Sequence, residues 1–298
     1  VANVSCGFDC IGYAISKPSD IVTIEKQDQL GIEISMSGIK YESIPVDPEN
    51  NTAGKAIISL LNTLGSKQGF KVHIEKGIPP GSGLGSSAAS AVAALVGVNE
   101  LLGKPLKQDE LLVHGMAGEA VVSGGFHADN IAPALFGGII LIRSYEPLDI
   151  LHLPVPNNLF STAVLPDFTV NTREARSILP KHVPLKTAIA QAGNLAGFTL
   201  ALHNGDFDLL GRSMVDHLAE PHRAKLIPGY DHVRQSAIDT GAIGCGISGS
   251  GPSVFALSDS LEKAEKIGLA MVNAFKNSGL TSQSYCSPIH TQPPEIVD

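Results

Sequence analysis

The amino-acid sequence predicts an α+β fold divided into two domains. Its 298 residues are enough for two compact domains, and the 43% that are hydrophobic supply ample material for buried cores. Segments with the alternation of β-strands are mixed with segments whose apolar residues recur at helical spacing. Pro147, Pro154 and Pro156 cluster near residue 150, which predicts an N-terminal domain of residues 1–150 and a C-terminal domain of residues 151–298.

The pattern of apolar residues predicts the individual elements. Alternation of apolar and polar residues indicates half-buried strands, and a single apolar face at helical spacing indicates helices packed on them. Gly103 and Pro105 end one of these helices. The strands are predicted at 20–34, 70–75, 137–142, 161–165 and 253–257, and the helices at 51–64, 86–102, 107–123, 186–203, 206–217, 231–240 and 262–277.

Composition excludes several classes of protein. The net charge is −8, Trp is absent and aromatic residues are only 5%, which argues against nucleic acid as a partner. Cys6, Cys10, Cys245 and Cys286 form no CxxC pair and no zinc-like cluster, so free thiols are expected. The sequence shows no membrane-length apolar run and no leader, so we expect a cytoplasmic protein without a membrane partner. The given sequence begins at Val1 without Met and starts inside a motif, so a preceding strand is expected to be missing.

The segment 79–89, Pro-Pro-Gly-Ser-Gly-Leu-Gly-Ser-Ser-Ala-Ala, is the strongest functional signal in the sequence. Its glycines at alternate positions permit positive φ angles and close approach of the backbone, and the chain then enters a helix. A helix N-terminus offers unpaired N–H groups and the positive end of the helix dipole, which favour bound phosphate. Ser86 and Ser87 add hydroxyls that can cap the helix or reach a metal ion.

The loop differs from two common nucleotide-binding motifs. A P-loop requires GxxxxGK[ST], and no Lys follows Gly85. A Rossmann fingerprint requires GxGxxG, whereas the spacing here is GxGxG. A tight strand-to-helix turn with a Ser N-cap is the structural alternative for such a loop.

Three blocks of the sequence resemble the GHMP kinases, the superfamily of galactokinase, homoserine kinase and mevalonate kinase. Segment 79–89 resembles their ATP-binding motif, residues 2–12 resemble their first motif, and residues 246–253 resemble their third. The resemblance implies a ribosomal-protein-like N-terminal domain, a ferredoxin-like C-terminal domain, and the binding of ATP and Mg²⁺. The ATP-binding residues that it implies are Pro79, Pro80, Gly81, Ser82, Gly83, Leu84, Gly85, Ser86, Ser87, Ala88 and Ala89.

The resemblance also implies a magnesium site. Glu119 lies in a stretch of small and apolar residues and matches the family's magnesium carboxylate, with Ser87 as the second ligand. Mg²⁺ takes few protein oxygens, and phosphoryl transfer needs its neutralising charge. Considered alone, Glu119 would be interpreted as a solvated helix glutamate.

Two arginine-containing stretches favour an amino-acid substrate. Residues 169–176 and 220–223 resemble segments of homoserine kinases, in which Arg176 and Arg223 would hold the carboxylate of L-homoserine. Asp9 is available for the ammonium group, and a zwitterion needs both kinds of partner. Residues 127–133 follow at the family's spacing and suit a pocket; an Asx-type turn before Pro133 is the alternative, and it is compatible with a pocket. The resemblance completes the pocket with Asn3, His127, Asn130 and Thr172.

Catalysis is expected to proceed without a general base. The loose transition state of phosphoryl transfer gains little from early deprotonation of the nucleophile. Homoserine kinases resemble one another in placing an Asn where Asn130 stands, and Asn accepts no proton usefully near pH 7. We therefore assign catalysis to Asn130, Glu119 and Ser87, and a structural role to Asp129.

The resemblance as a whole implies phosphorylation of the homoserine side-chain hydroxyl by ATP, giving O-phospho-L-homoserine, a step toward threonine. A mevalonate-type kinase and a non-catalytic nucleotide-binding protein on the same scaffold are the alternatives. Mevalonate has no ammonium group, so a role for Asp9 separates the first alternative, and intact Ser87 and Glu119 argue against the second. A homodimer is the assembly we expect, although no motif specifies it.

Overall fold

The computed structural model describes residues 1–123 and 125–297. These residues form two compact units that alternate along the chain. Unit 1 comprises Val1–Lys17, Gly81–Leu84 and Gly138–Thr291, and unit 2 comprises Pro18–Pro80, Gly85–Gly137 and the C-terminal residues from Gln292. The predicted domain boundary near residue 150 stays a prediction.

Both units contain strands and helices. In chain order the strands are β1 (Ala2–Val4), β2 (Gly7–Tyr13), β3 (Ile21–Gln27), β4 (Ile32–Gly38), β5 (Gly69–Lys76), β6 (Ile139–Tyr145), β7 (Leu148–Leu153), β8 (Phe160–Pro166), β9 (Gly244–Ile247), β10 (Val254–Ser258) and β11 (Ser282–Pro288). The helices are α1 (Thr52–Leu64), α2 (Ser86–Leu101), α3 (Gln108–Ser123), α4 (Ile131–Phe136), α5 (Thr172–Ser177), α6 (Leu185–Asn204), α7 (Phe207–Ser213), α8 (Glu220–Arg223), α9 (Tyr230–Asp239) and α10 (Leu261–Asn277).

Unit 2 is a sheet with strand order β3-β5-β4 and the helices α1 to α4. β3 runs antiparallel and β4 parallel to the central strand β5. β5 buries Phe70, Val72 and Ile74 and exposes the residues between them, as its alternation predicts. α1 begins where the Asn51 side chain accepts hydrogen bonds from the N–H groups of Ala53 and Gly54, and it packs against α2 and α3. The glycine loop lies between the end of β5 and the start of α2.

Unit 1 contains two antiparallel sheets, with strand orders β1-β2-β6-β7 and β11-β8-β10-β9. α9 and α10 pack on the second sheet, where Val164, Val254 and Phe275 lie in the core. Tyr13 of β2 joins the sheets, because its hydroxyl is hydrogen-bonded to the Ser161 hydroxyl at 2.8 Å and its ring meets Phe255 edge to face.

The predicted α+β fold in two domains is confirmed. One predicted helix is wrong in length: the helix predicted over 206–217 ends at Ser213. The Asp216 carboxylate accepts hydrogen bonds from the N–H groups of Leu218, Ala219 and Glu220, and this local bonding competes with continuation of the helix. β1, β2, β7, β9 and β11 were not predicted, since they are short or lack clean alternation. No helix in the described ranges is long and apolar enough to cross a membrane.

Candidate active site

The first half of the glycine loop packs against the third motif inside unit 1. Gly83 has a φ of +81°, and a Cβ at this position would lie 2.5 Å from the Ser248 carbonyl oxygen and 2.7 Å from that of Gly251. The Ser248 hydroxyl donates to the Gly83 carbonyl oxygen at 2.7 Å. Two sequence blocks that are far apart in the chain are therefore in contact, at a distance that only glycine permits.

The second half of the loop forms the start of α2 in unit 2. Gly85 is the N-cap residue with a φ of +75°, and a Cβ there would lie 2.8 Å from the Asn130 side-chain oxygen. The structural alternative of a Ser N-cap is wrong for this loop, because Gly85 occupies that position. The first hydrogen bond of the helix runs from the Ala89 N–H to the Gly85 carbonyl, so the N–H groups before it have no acceptor within the helix. Such an end can bind phosphate.

Glu119 on α3 lies beside this helix start. The Ser87 hydroxyl donates to Glu119 Oε2 at 2.7 Å. Burial raises the pKa of Glu119 to about 7; the hydrogen bond from Ser87 opposes this shift, and the neighbouring Asp129 adds to it. These surroundings differ from those of a solvated helix glutamate.

The oxygens of Glu119 and Ser87 fit Mg²⁺ in chemical type. They are hard donors, and a divalent cation would offset both the burial of the carboxylate and its repulsion from Asp129. Within the described ranges, no group of three or more His, Cys, Asp and Glu side chains is arranged to hold a metal ion. Mg²⁺ needs no such cage, because it usually keeps several waters and binds phosphate oxygens.

The first motif of unit 1 presents an ion pair. Arg176 Nη1 donates to Asp9 Oδ2 at 2.5 Å and Arg176 Nη2 donates to Asp9 Oδ1 at 2.8 Å. The Asp9 N–H donates to the Asn3 side-chain oxygen at 2.8 Å. Asp9 and Asn3 have φ angles of +57° and +55°, a left-handed conformation that Asn and Asp tolerate best among the residues with a side chain. Strain of this kind concentrates at functional sites.

Both arginines of the predicted pocket contact the ring of Phe8. The guanidinium carbons of Arg176 and Arg223 lie 5.5 and 5.1 Å from the ring centroid, within the range of cation–π attraction. Sequence reasoning missed Phe8. The signal that it offered was an aromatic residue directly before Asp9 in a glycine-containing motif.

The two arginines differ in their surroundings. Arg223 is only 3% exposed, and it donates to the carbonyl oxygens of Gly249 at 2.8 Å and Ala175 at 3.2 Å. The Arg176 side chain is 40% exposed and is paired with Asp9. Arg223 therefore supports the backbone of unit 1, whereas Arg176 is the more accessible cation.

The remaining predicted residues are distributed over both units. In unit 1, the Thr172 hydroxyl at the start of α5 is 3.3 Å from the Ser250 hydroxyl of the third motif. In unit 2, Asn130 is the N-cap residue of α4, next to the buried Asp129. His127 is half-buried in the same segment.

Comparison with known proteins gives consistent matches. Residues 51–138 match the GHMP kinases N terminal domain, and residues 198–277 match the GHMP kinases C terminal family. The homoserine kinase of Chlorobium phaeobacteroides is 46% identical over 301 residues, covering 97% of this chain and 94% of that protein. The homoserine kinase of Methanococcus vannielii is 46% identical over 257 residues, covering 86% and 84%.

Solved structures agree with these matches. The crystal structure of homoserine kinase from Cytophaga hutchinsonii is 47% identical with a TM-score of 0.97, covering 100% of this chain and 94% of that one. The mevalonate kinase of L. major, at 19% identity and a TM-score of 0.69, covers 92% and 86% and shares the fold alone.

Both matched domains and the glycine loop define a small-molecule kinase of the GHMP class. The chain belongs to the homoserine kinase family within the GHMP kinases, which confirms the resemblance of its three motifs.

The surroundings of Arg223 predict a loss of stability when its guanidinium group is replaced by the ammonium group of lysine. Arg223→Lys should lower the free energy of unfolding by about 1.5–3 kcal/mol, because a lysine cannot hold two carbonyl oxygens in the fork geometry of arginine. Urea unfolding measures the change. Arg176→Lys is the matched control and should shift the unfolding free energy by less than about 1 kcal/mol, because its ion pair is partly exposed. Equal losses in both variants would contradict the supporting role of Arg223.

Proposed function

We propose that the protein transfers the γ-phosphoryl group of ATP to the side-chain hydroxyl of L-homoserine, forming O-phospho-L-homoserine. The pairing of Arg176 with Asp9, beside Arg223 and Phe8, is the observation that supports this most directly. A zwitterion needs a cation for its carboxylate and an anion for its ammonium group, and this cluster offers both within one unit. Homoserine would exchange the Arg176–Asp9 pair for one ion pair with each residue.

We infer that the glycine loop and the start of α2 hold the phosphates of ATP. The support is the backbone of Gly85, which leaves the first N–H groups of α2 free of acceptors within the helix and at the positive end of its dipole. Ser87 and Glu119 would hold Mg²⁺, which when bound neutralises charge on the phosphoryl oxygens. The hydroxyl of Ser87 is already oriented toward the carboxylate by their hydrogen bond.

We further propose that the reaction needs no general base. Asp129 is 4% exposed and contributes to the electrostatic environment of Glu119, which suits a structural role. Asn130, whose side-chain oxygen faces Gly85, would position the nucleophile or the phosphate without accepting a proton. A homodimer and a cytoplasmic location stay predictions of the sequence.

A release assay for ADP tests the proposed function against its alternatives. Homoserine, mevalonate, galactose, threonine and serine are offered separately with ATP and Mg²⁺, and turnover is expected with homoserine. Mevalonate would leave Asp9 without an ammonium partner, so it should be a poor substrate. Turnover confined to an alcohol without an amino group would overturn the substrate assignment, and binding of ATP without any turnover would favour a non-catalytic protein.

The proposed metal site predicts unequal effects of its two residues. Glu119→Gln should lower kcat roughly 100-fold or more, because it removes the anionic oxygen that would hold Mg²⁺. Ser87→Ala should lower kcat less, since water can replace a neutral ligand. Steady-state rates over a range of magnesium concentrations measure both effects. Near-parental turnover of Glu119→Gln at ordinary magnesium would contradict the role of Glu119.

The amino-acid cluster predicts a selective loss of homoserine affinity. Arg176→Ala should raise KM for homoserine by the equivalent of about 1.5–3 kcal/mol, the range for a hydrogen bond to a charged group. KM for ATP should stay close to the parental value. Arg223→Ala should show the same selectivity together with lower stability, because of its buried carbonyl contacts. Loss of ATP binding with homoserine affinity preserved would show that these arginines hold phosphate.

The absence of a general base predicts a mild effect at Asp129. A general base contributes about 10²–10⁴-fold, so Asp129→Asn should lower kcat by much less than that factor. The pH–rate profiles of the parent and of Asp129→Asn should have the same acidic limb. A folded Asp129→Asn protein that binds both substrates but loses three orders of magnitude in kcat would establish a base.

A further inference from the structure

The segment before the glycine loop and the start of α2, its two flanks, are connected by hydrogen bonds. The loop leaves β5 after Lys76 and enters α2 at Ser86. The Ser86 hydroxyl donates to the Ile78 carbonyl oxygen at 2.7 Å, which joins the helix start directly to the segment before the loop. The spacing of these flanks sets the path that the intervening glycines can follow.

Lys76 makes a second connection between the same flanks. Its side chain is 1% exposed, and its ammonium group contacts Asp20 Oδ2. The same group donates to the Ser86 carbonyl oxygen at 3.0 Å and to the Ser90 hydroxyl at 2.8 Å. Its donors thus link the last residue of β5 to the first turn of α2.

Asp20 completes the connection from the other side. Its Oδ1 accepts hydrogen bonds from the N–H groups of Gly77 and Ile78, both at 3.0 Å. Its Oδ2 accepts from the Ser90 hydroxyl at 2.7 Å in addition to Lys76. One carboxylate therefore holds the backbone before the loop and a side chain of the helix after it.

The charges of this network cancel, which indicates that it acts by holding the backbone in place and not through its electric field. Lys76 and Asp20 neutralise each other, so they add little to the electric field at the helix end. A buried ion pair is a weak source of stability, because desolvation offsets the attraction between the charges. Burial lowers the pKa of Lys76, and the Asp20 carboxylate opposes that shift. What the network supplies is a set of directed hydrogen bonds to both flanks of one loop.

We propose that Lys76, Asp20 and Ser90 are positioning residues for the nucleotide, which hold the two ends of the glycine loop so that its N–H groups are preorganised for phosphate. The inference rests on the proposed function, because it assumes that this loop binds ATP. None of the three side chains needs to touch the nucleotide. Their effect passes through Gly77 and Ile78 on one side and Ser86 on the other.

Ser90→Ala and the double variant Asp20→Asn/Lys76→Met test the proposal. Calorimetric titration with ATP in the absence of homoserine gives Kd, and steady-state kinetics give KM for each substrate. Ser90→Ala should raise Kd and KM for ATP about three- to tenfold, the range for one internal hydrogen bond, and leave KM for homoserine within twofold. The double variant should raise Kd and KM for ATP further. Glu49→Gln/Lys55→Met removes an exposed ion pair of unit 2 and is the control, expected to match the parent.

The outcomes separate this proposal from the proposed function. A parent protein that does not bind ATP refutes the proposed function, and with it the assignment of the loop. A parent that binds ATP with a folded Ser90→Ala variant that binds equally well refutes the positioning network alone. A purely structural network would lower the melting temperature and the active fraction without changing KM for ATP. If the double variant does not fold, Ser90→Ala decides.

Discussion

The backbone of Gly85 is the constraint on which the proposed phosphate site depends. Its positive φ, which residues with a side chain rarely adopt, turns the chain directly from the loop into α2, and a Cβ there would lie 2.8 Å from the Asn130 side-chain oxygen. Because the residue has no side chain, the first N–H groups of the helix are not covered by a cap, in contrast to α1, where Asn51 occupies them. Two helices of one unit thus begin in opposite ways, and only the uncapped one follows a glycine-rich loop.

Several residues near the proposed chemistry are unfavourable for stability. Asp9 and Asn3 hold left-handed backbone conformations, and Glu119 places a buried carboxylate near Asp129. Each feature would be relieved by an ordinary substitution, such as a glycine at the strained positions or an amide at Glu119. Asn3 and Asp9 lie in the first family motif and Glu119 matches the family's magnesium carboxylate, which supports a functional origin, since strain persists where the surrounding structure enforces it.

The sequence predicted the loop, its helix and most long elements, because their apolar periodicity and glycine spacing are local. The buried position of Lys76 was missed, although its parity in β5 places it on the same face as Phe70, Val72 and Ile74. A lysine at the end of an alternating strand is normally interpreted as exposed. Its partner could not be found locally, since Asp20 lies 56 residues earlier and meets it only through the pairing of β3 with β5. The contact of Phe8 with two arginines likewise depends on tertiary packing.

In the proposed site, the Arg176–Asp9 pair would give a physical basis for preferring an amino acid. A ligand with a carboxylate alone would attract Arg176 away from Asp9. The Asp9 carboxylate would then be left to water or without a partner. Such a ligand gains one ion pair and loses another, so its net gain is small. A zwitterion also breaks the Arg176–Asp9 pair but forms two new ion pairs. Its carboxylate pairs with Arg176, and its ammonium group pairs with the Asp9 carboxylate. Selectivity would then follow from the preformed pair itself. A ligand that separates Arg176 from Asp9 must offer an anionic group to Arg176 and a cationic group to Asp9.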